Sequence, residues 1–130
     1  MLVVDDEPMI RSSLSRILIR QGFEVTTAEN GAEALDLYRD QQHRIRLVML
    51  DMAMPVMDGI ECFRRLRALD PEVKVLVVSG YSAGQDAAEV LAAANGFVRK
   101  PFDLDEIQAA VHAILGDEPA GPQPPRPGTG

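Results

Sequence analysis

Four polar groups interrupt this chain just where apolar runs end. Asp5-Asp6-Glu7 follows Leu2-Val3-Val4, and Asp51 follows Leu47-Val48-Met49-Leu50. Ser79-Gly80 follows the almost uniformly aliphatic stretch 73–78, and Lys100-Pro101 follows Phe97-Val98-Arg99. Ionised side chains are rarely buried unless they are paired or bind a metal. A carboxylate delivered to the end of an apolar run therefore needs something opposite it. Carboxylates brought together repel one another, and a hard divalent cation resolves the conflict. Mg²⁺ takes oxygen ligands octahedrally, keeps several waters, and typically adds one or two carboxylates and a phosphate oxygen. A lysine ammonium supplies a second, movable positive charge, and a serine hydroxyl supplies a donor. Aspartate is an established nucleophile that can yield an acyl phosphate, and phosphoryl transfer needs mainly positioning and charge neutralisation. Gathered in one place, Asp5, Asp6, Asp51, Ser79 and Lys100 could hold Mg²⁺ and accept a phosphoryl group on Asp51.

The elements between these groups decide whether they meet. Short aliphatic runs alternate with stretches of helical period. Ile10, Leu14, Ile17 and Leu18 recur at helical spacing behind Pro8, with Gly22 as the stop. Residues 23–28 read as a second strand. Asn30 and Glu33 form a capping pair for a helix carrying Leu35 and Tyr38. Asp58 caps the next helix, whose face carries Cys62, Leu66 and Leu69. An Ala-rich fourth helix is expected over roughly 85–94. Asp103 and Glu106 open a last helix with Leu104, Ile107, Val111, Ile114 and Leu115 on one side.

This (βα)5 alternation predicts an α/β fold, a five-stranded parallel sheet doubly wound with helices on both faces. All strand carboxyl ends then lie on one edge, and ligands bind there where the strand order reverses. With the flavodoxin-like order 2-1-3-4-5, taken from that class and not read from the residues, Asp5 and Asp6 fall beside Asp51.

Composition narrows the setting. The 130 residues carry a formal net charge of −7, which argues against non-specific binding to nucleic acid or anionic membrane. No apolar run reaches spanning length, and the start lacks the pattern of a secretory signal. The single Cys62 permits no internal disulfide and fits a cytoplasmic location; it reads as core filler. Residues 1–116 form the expected domain. Residues 117–130, rich in Pro and Gly, are expected to be a disordered tail or linker; their Pro122/Pro125 PxxP match carries little weight.

The segments "LVVDDEP", "LDMAMPVMDG", "VVSGYS" and "GFVRKPF", in this order and each at a strand end, resemble the response-regulator receiver domain of two-component signalling. The resemblance covers about residues 1–116. It implies a phosphorelay switch in which Asp51 takes a phosphoryl group from a phosphohistidine on a sensor histidine kinase or phosphotransfer protein. It further implies Mg²⁺ held by Asp6, helped by Asp5, with Asp51 and the main-chain carbonyl of Ala53. Lys100 would pair with the acceptor across a cis Lys100-Pro101 bond. Ser79 would turn toward the phosphoryl group, and Phe97 stands where the family usually has an aromatic that swings inward on activation. Direct nucleic-acid or membrane contact is not expected of this domain, and any dimer would be weak.

There are departures. Ala53 and Tyr81 flank the site with side chains that leave the phosphoryl lifetime open, and Phe97 lacks a hydroxyl. The first strand is short, which suggests a fragment of a longer chain, and "SGYS" with "GFVRKPF" looks like receivers at the ends of hybrid sensor histidine kinases.

Taken singly, each residue has a plainer reading. Asp5-Asp6 could be a solvated loop, Asp51 a helix cap, Lys100 a surface lysine, Ser79 a turn serine and Phe97 simply core. Glu7, His43 and His112 read as solvent-facing, the methionines at 49, 52, 54 and 57 as packing, and Arg64, Arg65 and Arg67 as a solvated helix face. Two other functions share the residues: a phosphatase with an aspartyl-phosphate intermediate of the haloacid-dehalogenase kind, and a receiver-like interaction module that is never phosphorylated. Ala53 stands where the first would need an acid, and the intact acid-lysine set argues against the second.

Overall fold

The computed structural model describes residues 1–42, 44–52, 59–80, 90 and 92–116, with Ser79 described for its backbone alone. The expected Ala53 ligand, the Asp58 cap, Tyr81, His43, Met54, Met57, most of the helix at 85–94 and the tail at 117–130 lie outside these residues.

Strands β1 (Leu2–Val4), β2 (Thr26–Ala28), β3 (Val48–Leu50), β4 (Val75–Ser79) and β5 (Gly96–Arg99) form one parallel sheet in the order β2-β1-β3-β4-β5. Among the described residues, four bounded helices connect and cover them: α1 (Pro8–Arg20), α2 (Gly31–Gln41), α3 (Gly59–Leu69) and α4 (Leu104–Leu115). Val90, Ala92 and Ala93 are helical as well, inside the region expected to form a helix before β5.

The uniformly apolar strands follow from the two covered faces, because strand side chains alternate between faces. Leu2, Val4, Val48, Leu50, Val75 and Val77 point to one side, where Leu35, Tyr38, Cys62, Phe63 and Leu66 of α2 and α3 pack on them. Val3, Met49, Leu76, Val78 and Val98 point to the other, against Leu14 and Leu18 of α1 and Ile107, Val111 and Leu115 of α4. Burying each such side chain stabilises the fold by about 1.5–3 kcal/mol. Cys62 is core filler, as its place on the helix suggested.

Several boundaries differ from the expectations, each for a local reason. The second strand pairs only at Thr26–Ala28, since β1 offers it only Leu2–Val4 as partners. Leu69 and Leu104 lie at a helix end and in a first turn, and both are partly exposed. Phe97 does not fill the core: 41% of its surface is exposed, because its β5 neighbour Val98 takes the inward position. Arg67 is not a solvated face residue. Its guanidinium stacks over Phe63 with the centroid 5.1 Å away and donates to the Ala93 carbonyl at 2.8 Å.

The caps expected at Asn30 and Asp103 are present. The Asn30 side chain accepts from the Glu33 amide at 2.9 Å, and Asp103 with Glu106 closes a reciprocal capping box. Between α2 and α3, the buried Tyr38 hydroxyl donates to Asp70 at 2.6 Å. That bond holds the Asp70 carboxyl below the usual carboxylate range, while burial and the same carboxylate push the Tyr38 phenol up.

Candidate metal and phosphoryl site

The register of the central strands brings the acids together. Val4 pairs with Leu50, so the next residues, Asp5 and Asp51, leave the sheet side by side. The Asp51 amide donates to the Val4 carbonyl at 3.0 Å, which holds the two chain ends in step. Both carboxylates are nearly shielded from solvent, Asp5 at 1% exposure and Asp51 at 4%. Asp6, one residue on, is exposed. One oxygen from each of Asp5, Asp6 and Asp51 lies within 4.8 Å of the others.

Asp5 is fixed at every polar atom. Its amide donates to the Ala28 carbonyl at 3.1 Å, at the end of β2. Its Oδ1 accepts from the Glu7 amide at 2.9 Å, a side-chain turn that starts α1 with Glu7 as N-cap and Pro8 in the first position. Its carbonyl accepts from Arg11 Nη1 at 2.7 Å, and its Oδ2 accepts from Lys100 Nζ at 2.7 Å.

Lys100 reaches the acids from the end of β5. Ser79 pairs with Arg99 in the β4–β5 register, so the backbone of Ser79 lies on the same edge, one position from Lys100. The Lys100-Pro101 bond is cis, in line with the expectation. The ammonium lies 2.7 Å from Asp5, 3.6 Å from Asp51 and 3.8 Å from Glu7, and only 15% of its side chain is exposed. Burial alone would lower its pKa. The hydrogen bond to Asp5 and the charges of Asp51, Asp5 and Glu7 outweigh that, and hold it above the ordinary lysine value. The tightest partner is Asp5, which the sequence did not single out. Glu7 faces solvent as expected yet still contributes charge at this distance.

Beyond Asp51 the chain returns to the site at Gly59. The Gly59 amide donates to the Met52 carbonyl at 3.0 Å. A Cβ at Gly59 would lie 2.5 Å from the Asp51 carbonyl oxygen and 2.6 Å from the Met52 Cα. Only glycine lets the start of α3 lie against the backbone of the acid that ends β3.

The donor chemistry suits a hard cation. Every side-chain ligand in the acidic trio is a carboxylate oxygen, with neither imidazole nor thiolate, which favours Mg²⁺-like ions over softer metals. One lysine faces three carboxylates, so negative charge remains for a divalent ion to balance. His112 is exposed on α4, away from this set. Sequence reasoning missed Arg11. A cation in the first turn of a helix opposes the helix dipole, and that unfavourable position was the available sign that it holds something.

Comparison with known proteins gives a consistent answer. Residues 1–112 match the family model described as the response regulator receiver domain. The transcriptional regulatory protein PrrA of Mycobacterium tuberculosis is 44% identical over 115 residues, covering 88% of this chain and 48% of that protein. The chain thus spans about half the length of this regulator. Sporulation initiation phosphotransferase F of Bacillus subtilis is 38% identical over 117 residues, covering 88% of this chain and 91% of that protein. Among solved structures, the response regulator TrrA of Thermotoga maritima, in complex with Mg²⁺ and beryllium fluoride, aligns with a TM-score of 0.79 at 37% identity. That alignment covers 88% of this chain and 96% of TrrA. The CheX–CheY–BeF₃–Mg²⁺ complex of Borrelia burgdorferi aligns with a TM-score of 0.82 at 31% identity, covering 88% and 87%.

Proposed function

Because this chain belongs to the response regulator receiver domain family, we propose that Asp51 is its phosphoryl acceptor and that Asp5, Asp6, Asp51 and the Ala53 main-chain carbonyl hold Mg²⁺. The observation that carries this is the burial of Asp51 at 4% exposure beside Asp5, with the Lys100 ammonium 3.6 Å away and the Asp6 carboxylate within the same cluster. A buried carboxylate with an ammonium close by is in the setting that an aspartyl nucleophile needs.

In the reaction, an Asp51 carboxylate oxygen attacks the phosphorus of a phosphohistidine on a sensor histidine kinase or phosphotransfer protein. The phosphorus–nitrogen bond breaks, the imidazole leaves with its electron pair, and an acyl phosphate remains on Asp51. Bound Mg²⁺ supplies charge neutralisation to the transferring oxygens. Asp5 and Asp6 hold their oxygens toward the ion. Lys100, poised between Asp5 and Asp51, is close enough to turn its ammonium onto the added phosphoryl group. Ser79 hydrogen-bonds that group from the end of β4, and Phe97, now outward, moves inward as the phosphorylated state becomes favoured. Hydrolysis of the acyl phosphate then resets the switch.

In this reading residues 1–116 are the receiver and 117–130 a linker or tail. The domain works in the cytoplasm, forms at most a weak dimer and needs no contact with nucleic acid or membrane. The hybrid-kinase parent rests on "SGYS" and "GFVRKPF" alone. Incubation with a low-molecular-weight phosphodonor and Mg²⁺ should add one phosphoryl mass to the wild-type chain and none to Asp51→Asn. Retention of the label in Asp51→Asn, or continuous turnover of a phosphate monoester, would refute the assignment.

A further inference from the structure

Asp6 differs from its two companions. Asp5 and Asp51 are buried, and Asp5 is bonded at each polar atom, whereas the Asp6 carboxylate is exposed. Among the described residues, none hydrogen-bonds the Asp6 side chain. What aims this acid is therefore the main chain that carries it.

Among the described residues, the peptide unit that joins Asp5 to Asp6 is held by one side chain. Arg11 Nη1 donates to the Asp5 carbonyl at 2.7 Å, and Arg11 Nη2 lies 3.6 Å from Glu29, just past the end of β2. The Arg11 side chain is only 15% exposed. The Asp5 carbonyl and the Asp6 amide belong to one planar peptide unit. Gripping the carbonyl fixes the plane, and with it the point from which the Asp6 Cα carries its carboxylate away from the strand.

For binding a cation, charge alone gives Arg11 no favourable role. A guanidinium in the first turn of α1 opposes the helix dipole, and a positive charge near the trio repels an incoming cation. We propose that Arg11 is a positioning residue of the metal site, acting through the Asp5–Asp6 peptide plane to hold the Asp6 carboxylate toward the oxygens of Asp5 and Asp51. The proposal rests on the reading of the acidic trio as the Mg²⁺ site.

The two roles predict opposite signs, which makes the test decisive. If Arg11 acted only by charge, removing it would tighten Mg²⁺ binding; if it positions Asp6, removing it weakens binding. Backbone amide NMR of the ¹⁵N-labelled chain, titrated with MgCl₂ without phosphodonor, reads the affinity at the Asp6 amide. Arg11→Gln should bind Mg²⁺ about tenfold more weakly and shift the Asp6 amide even before metal is added. Arg11→Lys, keeping the charge and one donor, should recover part of the affinity. Glu29→Gln, which releases the far side of the guanidinium, should show a smaller loss.

Absence of saturable Mg²⁺ binding by the wild type would remove the metal site itself, and the proposal with it. If the wild type binds while Arg11→Gln binds as tightly or more tightly, the metal site stands and the Arg11 role is overturned. Thermal melting without Mg²⁺ identifies a variant that does not fold. If Arg11→Gln is such a variant, wild-type affinity in both Arg11→Lys and Glu29→Gln overturns the role.

Discussion

Lys100 and Asp5, 95 positions apart in sequence, form a 2.7 Å charged hydrogen bond, closer than the 3.6 Å between Lys100 and Asp51. The lysine is thus held by the neighbour of Asp51 rather than by Asp51 itself. The pair ties the carboxyl end of β1 to that of β5, across the two strands between them. It also keeps an ammonium in reserve within reach of Asp51.

This pair has a defined pH signature. The folded-state pKa of Lys100 is raised, so its contribution to stability is fully present below the ordinary lysine value of 10.5. It is lost as pH rises through the higher folded value. Without Mg²⁺, Lys100→Met should be less stable than wild type by about 1–3 kcal/mol. Urea melts followed by circular dichroism should show this gap flat from neutral pH to about pH 10 and shrinking at more alkaline pH. A gap that stays constant through the alkaline range would show that the ion pair is not its source.

The acidic trio should trade stability for metal binding. With one oxygen of each acid within 4.8 Å of the others, like-charge repulsion is present whenever the cation is absent. Asp6→Asn removes one charge from a solvent-exposed position, where such effects are small. It should raise metal-free stability by roughly 0.5 kcal/mol and abolish the stabilisation that Mg²⁺ gives the wild type. Equal Mg²⁺-dependent shifts of the urea midpoint in both proteins would exclude Asp6 as a ligand.

Gly59 is expected to be intolerant of the smallest side chain. An added methyl would meet the Asp51 carbonyl at 2.5 Å and the Met52 Cα at 2.6 Å, both backbone atoms that cannot rotate away. Gly59→Ala should cost about 1–3 kcal/mol and weaken Mg²⁺ binding, since the chain next to Asp51 must shift. Wild-type stability together with unaltered metal affinity in Gly59→Ala would contradict the close approach.

What could be read early followed from patterns that are local. Strand residues separated by two share a face, and helical residues recur every three or four, so the apolar runs and the caps at Asn30 and Asp103 were visible without coordinates. The burial of Asp51 fits its place at the end of an apolar strand, whereas the split between buried Asp5 and exposed Asp6 had no such local sign. Arg67 escaped the same logic. Its position looked solvated by helical period, yet a guanidinium is long enough to stack on Phe63 and reach Ala93, partners with no fixed spacing in sequence.

The amino-acid order by itself determined the alternation of strands and helices, and that the acids, the serine and the lysine must emerge on one sheet edge. Those are consequences of period and of parallel connectivity, which the chain carries residue by residue. Tertiary structure alone decided that Lys100 holds Asp5 more tightly than Asp51, that Phe97 faces outward and that Arg11 grips the peptide before Asp6. These choices rest on differences of about an ångström in the separation of groups from different elements. Hydrogen bonds gain or lose most of their strength over that interval, so only the folded arrangement can select among partners that the sequence leaves equivalent.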